Sequence, residues 1–144
     1  MGSSRLPDKP LKEIAGKPLL KWVIELAQNI NFKASLMVLT EDKIIKDFVD
    51  SIGVDCFLTN KFHKNGTARI LEILDSIDSD FIINLQGDEP LLNPGDLSDL
   101  YETIKSSDSD IASICHQIDN LEAEDPSNVK VVFDINQYAL YFSR

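Results

Sequence analysis

Basic side chains are scarce in the second half of this 144-residue chain. Residues 78–144 hold three Lys/Arg against 14 Asp/Glu, whereas residues 1–77 hold 11 against 10. The net charge of −10 argues against a nonspecific nucleic-acid binder, which needs a basic face to neutralise phosphates. Cysteine is almost absent. Cys56 and Cys115 sit in apolar stretches far apart in sequence, so both are expected to be buried free thiols, not a disulfide or metal pair. No apolar run approaches the ~18 residues of a membrane span, and no signal-peptide pattern precedes the first polar loop. No membrane partner is expected, and a cytoplasmic location follows. Glycine and proline number six each, with no repeat, low-complexity tract or evident linker. What is present, 43% hydrophobic and 26% charged residues, is ordinary for a soluble globular protein, and 1–144 is expected to form one domain.

Apolar periodicity divides the chain. Leu19, Leu20, Val23, Ile24, Leu26, Ala27 and Ile30 recur at helical spacing, so 18–30 is predicted helical with Pro18 in its first turn. ASLMVLT (34–40) reads as a strand, 42–52 as a helix stopped by Gly53, and VDCFLT (54–59) as a strand. The loop NKFHKNG leads to a helix over about 67–77. DFIINLQ (80–86) is the most strand-like run, followed by a helix over 95–106 and a strand at IASICHQI (111–118). DNLEAEDPSN (119–128) reads as an acidic surface loop, and VKVVFD (129–134) with YALYFS (138–143) as a hairpin around INQ. This alternation predicts an α/β fold: a mainly parallel sheet flanked by helices, Rossmann-like, binding ligands at the C-terminal strand ends.

Three loops carry candidate chemistry. In QGDEP (86–90) two adjacent acids, Asp88 and Glu89, follow a small Gly87. One carboxylate there suits Mg2+, which takes one or two carboxylates plus phosphate oxygens; the same residues also read as a polar turn ended by Pro90. Neighbouring side chains diverge, so one acid is expected to face a site and the other to support the loop. In HKNGTARI (63–70) Gly66 allows close backbone approach, Thr67 can cap the helix, and Arg69 projects from its first turn. His63 reads as a structural hydrogen-bonding residue, not a catalytic base. SSRLPDKP (3–10) supplies Arg5 and Lys9, a fork and a point charge suited to triphosphate oxygens. It lacks GxxxxGK[ST], so it is no ordinary P-loop, and the leading MGSS also resembles an expression-tag remnant. The basic residues Arg5, Lys9, Lys17, Lys64 and Arg69 all fall early in the chain, which suits an anionic small molecule or a solvated surface equally.

In order and spacing, SSRLPDKPL (3–11), IAGKP (14–18), HKNGTARI (63–70), NLQGDEP (84–90), NVKVVFD (128–134) and YALYFSR (138–144) resemble the CMP-Kdo synthetases, the 3-deoxy-manno-octulosonate cytidylyltransferases. QGDEP and SRLPxKPL alone indicate the wider group of sugar-nucleotide cytidylyltransferases; YALYFSR together with HxNGT points to the Kdo enzymes. The resemblance implies a nucleotide-diphospho-sugar transferase-like fold and transfer of CMP from CTP to the anomeric hydroxyl of Kdo, for lipopolysaccharide biosynthesis. It implies nucleotide binding by Ser4, Arg5, Lys9, Gly66, Thr67, Arg69 and Gln86, and sugar binding by Gln86 and Arg144. Lys9 and Asp88 would be catalytic, with Asp88 holding Mg2+. It further implies a homodimer.

Departures from the family pattern are local and terminal. Asp8 replaces the glycine of LPGKPL and places a carboxylate between Arg5 and Lys9, in a position where a glycine-only backbone conformation would be strained. Ala68 replaces the Glu of GTER, and Asn65 the Ser before Gly66. The family also has a strand ending in a PAR-type motif before this loop, and a further stretch after YALYFSR with more sugar-binding residues, much of the dimer surface and a second metal-binding Asp. The chain is therefore expected to be a piece of such an enzyme, with little or no turnover by itself. The rival readings are a cytidylyltransferase for another acidic sugar, such as a sialic acid, and a non-catalytic fragment or subunit completed by a partner chain.

Overall fold

Residues 8–60 and 62–144 are described by a computed structural model; Ser4 and Arg5 of the expected phosphate loop lie outside the described residues. The chain divides into two compact units, 1–99 and 100–144.

The first unit opens with a 3-10 turn at Lys9–Leu11, preceded by Asp8 at φ 55°, ψ 27°. This is the left-handed region, which Asp tolerates better than most residues but still at a cost. The two-residue strands β1 (Glu13–Ile14) and β2 (Lys17–Pro18) pair antiparallel around Ala15 and Gly16. Both loop residues have positive φ, 51° and 78°, as a type I′ hairpin turn requires. Gly16 takes that conformation freely, whereas Ala15 costs about 1 kcal/mol there.

Helix α1 runs Leu19–Gln28, with Pro18 one position further out than expected, at the N-cap. Its apolar stripe buries Leu19, Leu20, Val23, Ile24 and Leu26. Strand β3 (Met37–Thr40) leads into helix α2 (Lys43–Ser51), whose N-cap Asp42 accepts a hydrogen bond from the Ile44 amide at 2.8 Å. Gly53, at φ 74°, ends the helix with a left-handed turn that returns its own and the Val54 amide to carbonyls of the last turn, on Asp50 and Val49. Strand β4 (Asp55–Leu58) then pairs parallel with β3, Met37 opposite Asp55 through Thr40 opposite Leu58. The core joins α1, α2 and this pair: Leu20, Ile24, Val49 and Val54 are buried, with Leu36, Val38, Ile45, Phe48, Ile52 and Cys56 packed around them. Each full burial is worth roughly 1.5–3 kcal/mol. Cys56 is only partly buried, short of the full burial expected, because it lies at the margin of this core; that burial still pushes its thiol up, as for an unreactive cysteine.

Beyond β4 the structure departs from the sequence-based expectation. Helix α3 spans only Gly66–Leu71, and a 3-10 turn at Leu74–Ser76 replaces the rest of the helix expected to 77. Residues 80–86, read as the most strand-like run, form no ladder among the described residues, and Phe81 and Ile82 stay 40% and 43% exposed. The reason is that a strand is a property of a pair. β-Branched and aromatic residues favour extended backbone, but only a hydrogen-bonded neighbour makes it a ladder.

Helix α4 (Pro94–Ser106) forms as expected, and the division between units falls inside it. In the second unit, 111–118 likewise forms no strand, and with that support missing Cys115 is exposed instead of buried. The expected acidic loop contains a short helix, α5 (Asn120–Glu124), held by a reciprocal capping box between Asp119 and Glu122. Strands β5 (Lys130–Phe133) and β6 (Ala139–Ser143) form the expected antiparallel hairpin, with an irregularity between Val132 and Phe133. Among the described residues no helix is long and apolar enough to cross a membrane.

Candidate functional site

Two loops distant in sequence meet through opposite charges. Lys9, held in the 3-10 turn after Asp8, donates to Asp88 Oδ2 at 2.5 Å across 79 residues of chain. The pair is open to solvent, with side chains 36% and 47% exposed, so it adds at most about 1 kcal/mol to stability. Both charges remain within reach of an incoming ligand. The turn at 86–89 is shaped by the Glu89 amide donating to the Gln86 carbonyl at 3.3 Å. At Gly87 an added Cβ would stand 3.4 Å from Leu20 Cδ1, so the loop backbone lies directly over the core.

The same segment meets the HKNGT loop. A Cβ added at Gly66 would lie 3.3 Å from Gln86 Nε2 and 3.6 Å from the Asn84 side-chain amide. Only a glycine gives this clearance without displacing Gln86. Gln86 Nε2 donates to Asn84 Oδ1 at 3.1 Å, and Asn84 Nδ2 lies 3.5 Å from Thr67 Oγ1. Gly66, Thr67, Gln86, Lys9 and Asp88 are thus carried by three loops that converge on residues 84–88. Thr67 is not the helix cap: Asn65 caps α3, accepting from the Ala68 amide at 2.8 Å. An Asn at this position caps as well as a Ser, which accounts for the change from the family pattern without loss of the turn.

Arg69 points elsewhere. Its Nη2 donates to Glu41 Oε2 and its Nη1 to Thr59 Oγ1, each at 2.6 Å, and its side chain is only 12% exposed. The hydrogen bond from Arg69 holds the Glu41 carboxyl below the usual carboxylate range. His63 makes a local hydrogen bond: its Nε2 lies 2.5 Å from Glu72 Oε2, while the Asn60 amide donates to both Glu72 oxygens at 3.1 and 3.0 Å. Burial would raise the Glu72 carboxyl, but these hydrogen bonds outweigh it and hold the group down. Lys17 stacks 3.6 Å over the Trp22 ring and pairs with Glu25, so it braces α1. Arg144 follows β6 in the second unit and is exposed.

Asn84, Glu41 and Thr59 were not singled out from sequence. Asn84 had a signal, since it opens the NLQGDEP run. Glu41 and Thr59 had none, because they reach Arg69 only through the pairing of β3 and β4. An open depression of about 500 Å3 at the ends of those strands is lined by Glu41, Asp42, Lys43 and Leu58.

The Mg2+ expectation can be tested against the donor set. Among the described residues no three His, Cys, Asp or Glu converge on a common point. Asp88 supplies a single hard oxygen donor on an open loop, which fits Mg2+ drawing its other ligands from phosphates and water, and does not fit an all-protein cage.

A cytidylyltransferase family model matches residues 1–144. The chain belongs to the cytidylyltransferase family. It is 41% identical to the 3-deoxy-manno-octulosonate cytidylyltransferase of Escherichia coli, with 99% of this chain and 58% of that protein aligned. The corresponding enzyme of Fusobacterium nucleatum is 43% identical, over 99% and 59% of the two chains. A solved structure of CMP:2-keto-3-deoxy-manno-octonic acid synthetase complexed with CTP superposes with a TM-score of 0.92 at 41% identity, covering 99% of this chain and 59% of the other. The family fold is therefore the mixed α/β nucleotide-sugar transferase type, here with its parallel pair β3–β4 packed against α1 and α2. The chain spans somewhat under three fifths of the length of the relatives it matches.

Proposed function

We propose that this chain carries the CTP-binding part of an enzyme that transfers CMP to Kdo. The anomeric hydroxyl oxygen of the sugar forms a bond to the α-phosphorus of CTP, the bond from that phosphorus to the bridging oxygen breaks, and pyrophosphate leaves. The hydroxyl proton passes to solvent. The observation that carries this reading is the meeting of Lys9 with Asp88 and of Gly66 with Gln86 in a chain so similar to a CTP-bound synthetase.

In this reading Lys9 exchanges its contact with Asp88 for triphosphate oxygens, together with Ser4 and Arg5 of the same loop. A displaced carboxylate beside phosphates is the position a Mg2+ would take. When bound, the ion would neutralise phosphate charge at the reacting centre. Gly66, Thr67 and Gln86 would face the nucleoside, with Gln86 also reaching the sugar. The assignment of Arg144 to the sugar carboxylate rests on the YALYFSR match alone. Catalysis of this kind consists mainly of positioning and charge neutralisation, not of covalent chemistry by the protein. A cytoplasmic enzyme that acts as a homodimer is part of the same proposal.

Isothermal titration of the 144-residue chain with CTP, UTP and ATP in Mg2+ tests the reading. Saturable binding of CTP, at least tenfold tighter than the other two, is expected. Equal affinity for all three, or none for any, would overturn it.

A further inference from the structure

We infer that Arg69 is a positioning residue that fixes the Gly66 loop through Glu41 and Thr59, and not a direct ligand of the nucleotide. This inference rests on the CTP-binding reading above and deepens it. The chain leaves the sheet at Thr59, and Asn65 is the N-cap of α3. Thr59 is buried and tied to β3, its amide donating to the Thr40 carbonyl at 2.8 Å and its hydroxyl at 3.2 Å. Arg69, on the first turn of α3, donates back to the Thr59 hydroxyl and across to Glu41 just beyond β3. One guanidinium thus ties the start of the loop, its end and the neighbouring strand end to one another.

A second tie closes the same loop. Glu72, just beyond α3, accepts from the Asn60 amide and pairs with His63. The loop is held at its root and at its middle, and Gly66 is the residue delivered.

The tolerance there is small. Gly66 already stands so close to Gln86 that an added Cβ would come within 3.3 Å of Nε2. A shift of a few tenths of an ångström in α3 therefore changes the contact between the two nucleoside-facing loops. The fork geometry matters as well as the charge, because two different acceptors are met by two different nitrogens of one planar group.

Glu41 supplies the discriminating test, since it holds Arg69 but lies outside the proposed nucleotide contacts. CTP affinity and amide hydrogen exchange at 68 and 69, whose amides are bonded to Asn65, are measured for the full chain as R69A, R69K, E41Q, and R69A with E41Q, each checked for native circular dichroism. Positioning predicts that exchange at 68 and 69 rises at least tenfold in R69A and severalfold in E41Q. It also predicts that E41Q weakens CTP binding by a factor of three to ten, that R69K recovers only part of the loss, and that the double variant is no worse than R69A. A direct ligand would leave the exchange of these amides unaltered, and that result, or full CTP affinity in E41Q, overturns the inference. If R69A does not fold, R69K and E41Q carry the same comparison. The exchange measurement needs no nucleotide, so it decides the positioning role even for a chain that binds no CTP, the result that would sink the functional reading instead.

Discussion

Two cation–carboxylate pairs in the first unit have the same chemistry and different surroundings. Lys9–Asp88 joins two open loops, with side chains 36% and 47% exposed; Arg69–Glu41 lies at the strand ends, with side chains 12% and 26% exposed. Water competes freely for the first pair, and its flexible lysine presents a single charge. The second is a planar fork meeting two acceptors, and solvent is largely excluded from its guanidinium. The contrast separates a contact that a ligand can replace from one that the fold relies on. Residue type alone would place both cations at the phosphates.

The largest effect should come from breaking the enclosed pair. R69A removes two charge-assisted hydrogen bonds and is expected to cost roughly 2 kcal/mol, a drop of several degrees in Tm by calorimetry. K9A should leave Tm unchanged, because an exposed pair contributes little; a matching drop in both variants would erase the distinction. The order reverses for ligand binding. K9A is expected to weaken CTP at least tenfold, about 1.4 kcal/mol, through loss of a charge-assisted phosphate contact.

D88N sharpens the point by separating repulsion from metal binding. Without Mg2+ it should bind CTP as well as or better than the parent chain, since a carboxylate has gone. With Mg2+ the parent should gain affinity and D88N should not, and an equal gain in both would remove Asp88 from any metal role.

Acid should act on the enclosed contacts. The Glu41 and Glu72 carboxyls are held below their ordinary values, so they stabilise the fold above the unfolded-state value of about 4.3. That contribution disappears as pH falls through their lower folded-state values. Denaturation midpoints followed from pH 7 to pH 2 should fall in the acid range, with a shallower fall for E41Q than for the parent. The smallest expected effect is at Asp8. D8N keeps a side chain that tolerates the left-handed conformation and removes a charge next to Lys9, so CTP affinity should rise by no more than severalfold with Tm unchanged.

How far the sequence disclosed this arrangement depends on how local each feature is. Helices α1, α2 and α4, the parallel strands and the hairpin were legible because their periodicity and punctuation lie within a few residues, as with Gly53 after α2. The strain at Asp8 was legible only through the family resemblance, which has a glycine at that place in LPGKPL. The capping box of α5 was legible in principle, as Asp119 followed three residues later by Glu122, but the acidity of the segment concealed it. Strands at 80–86 and 111–118 were misread because apolar composition reports a preference, and ladder formation depends on a neighbour elsewhere. The direction of Arg69 was not readable at all: Glu41 is 28 residues away, and no local pattern marks an arginine as turned inward.

The most direct measurement is a 31P NMR titration of Mg-CTP with the parent chain, K9A and E41Q. At saturation the parent should perturb the triphosphate resonances, E41Q should reach the same pattern of shifts at higher protein concentration, and K9A should reach a different pattern, with the resonances that meet the Lys9 ammonium in the parent shifted much less. Unchanged perturbation in K9A would contradict the claim that the exposed Lys9–Asp88 pair is where the triphosphate binds.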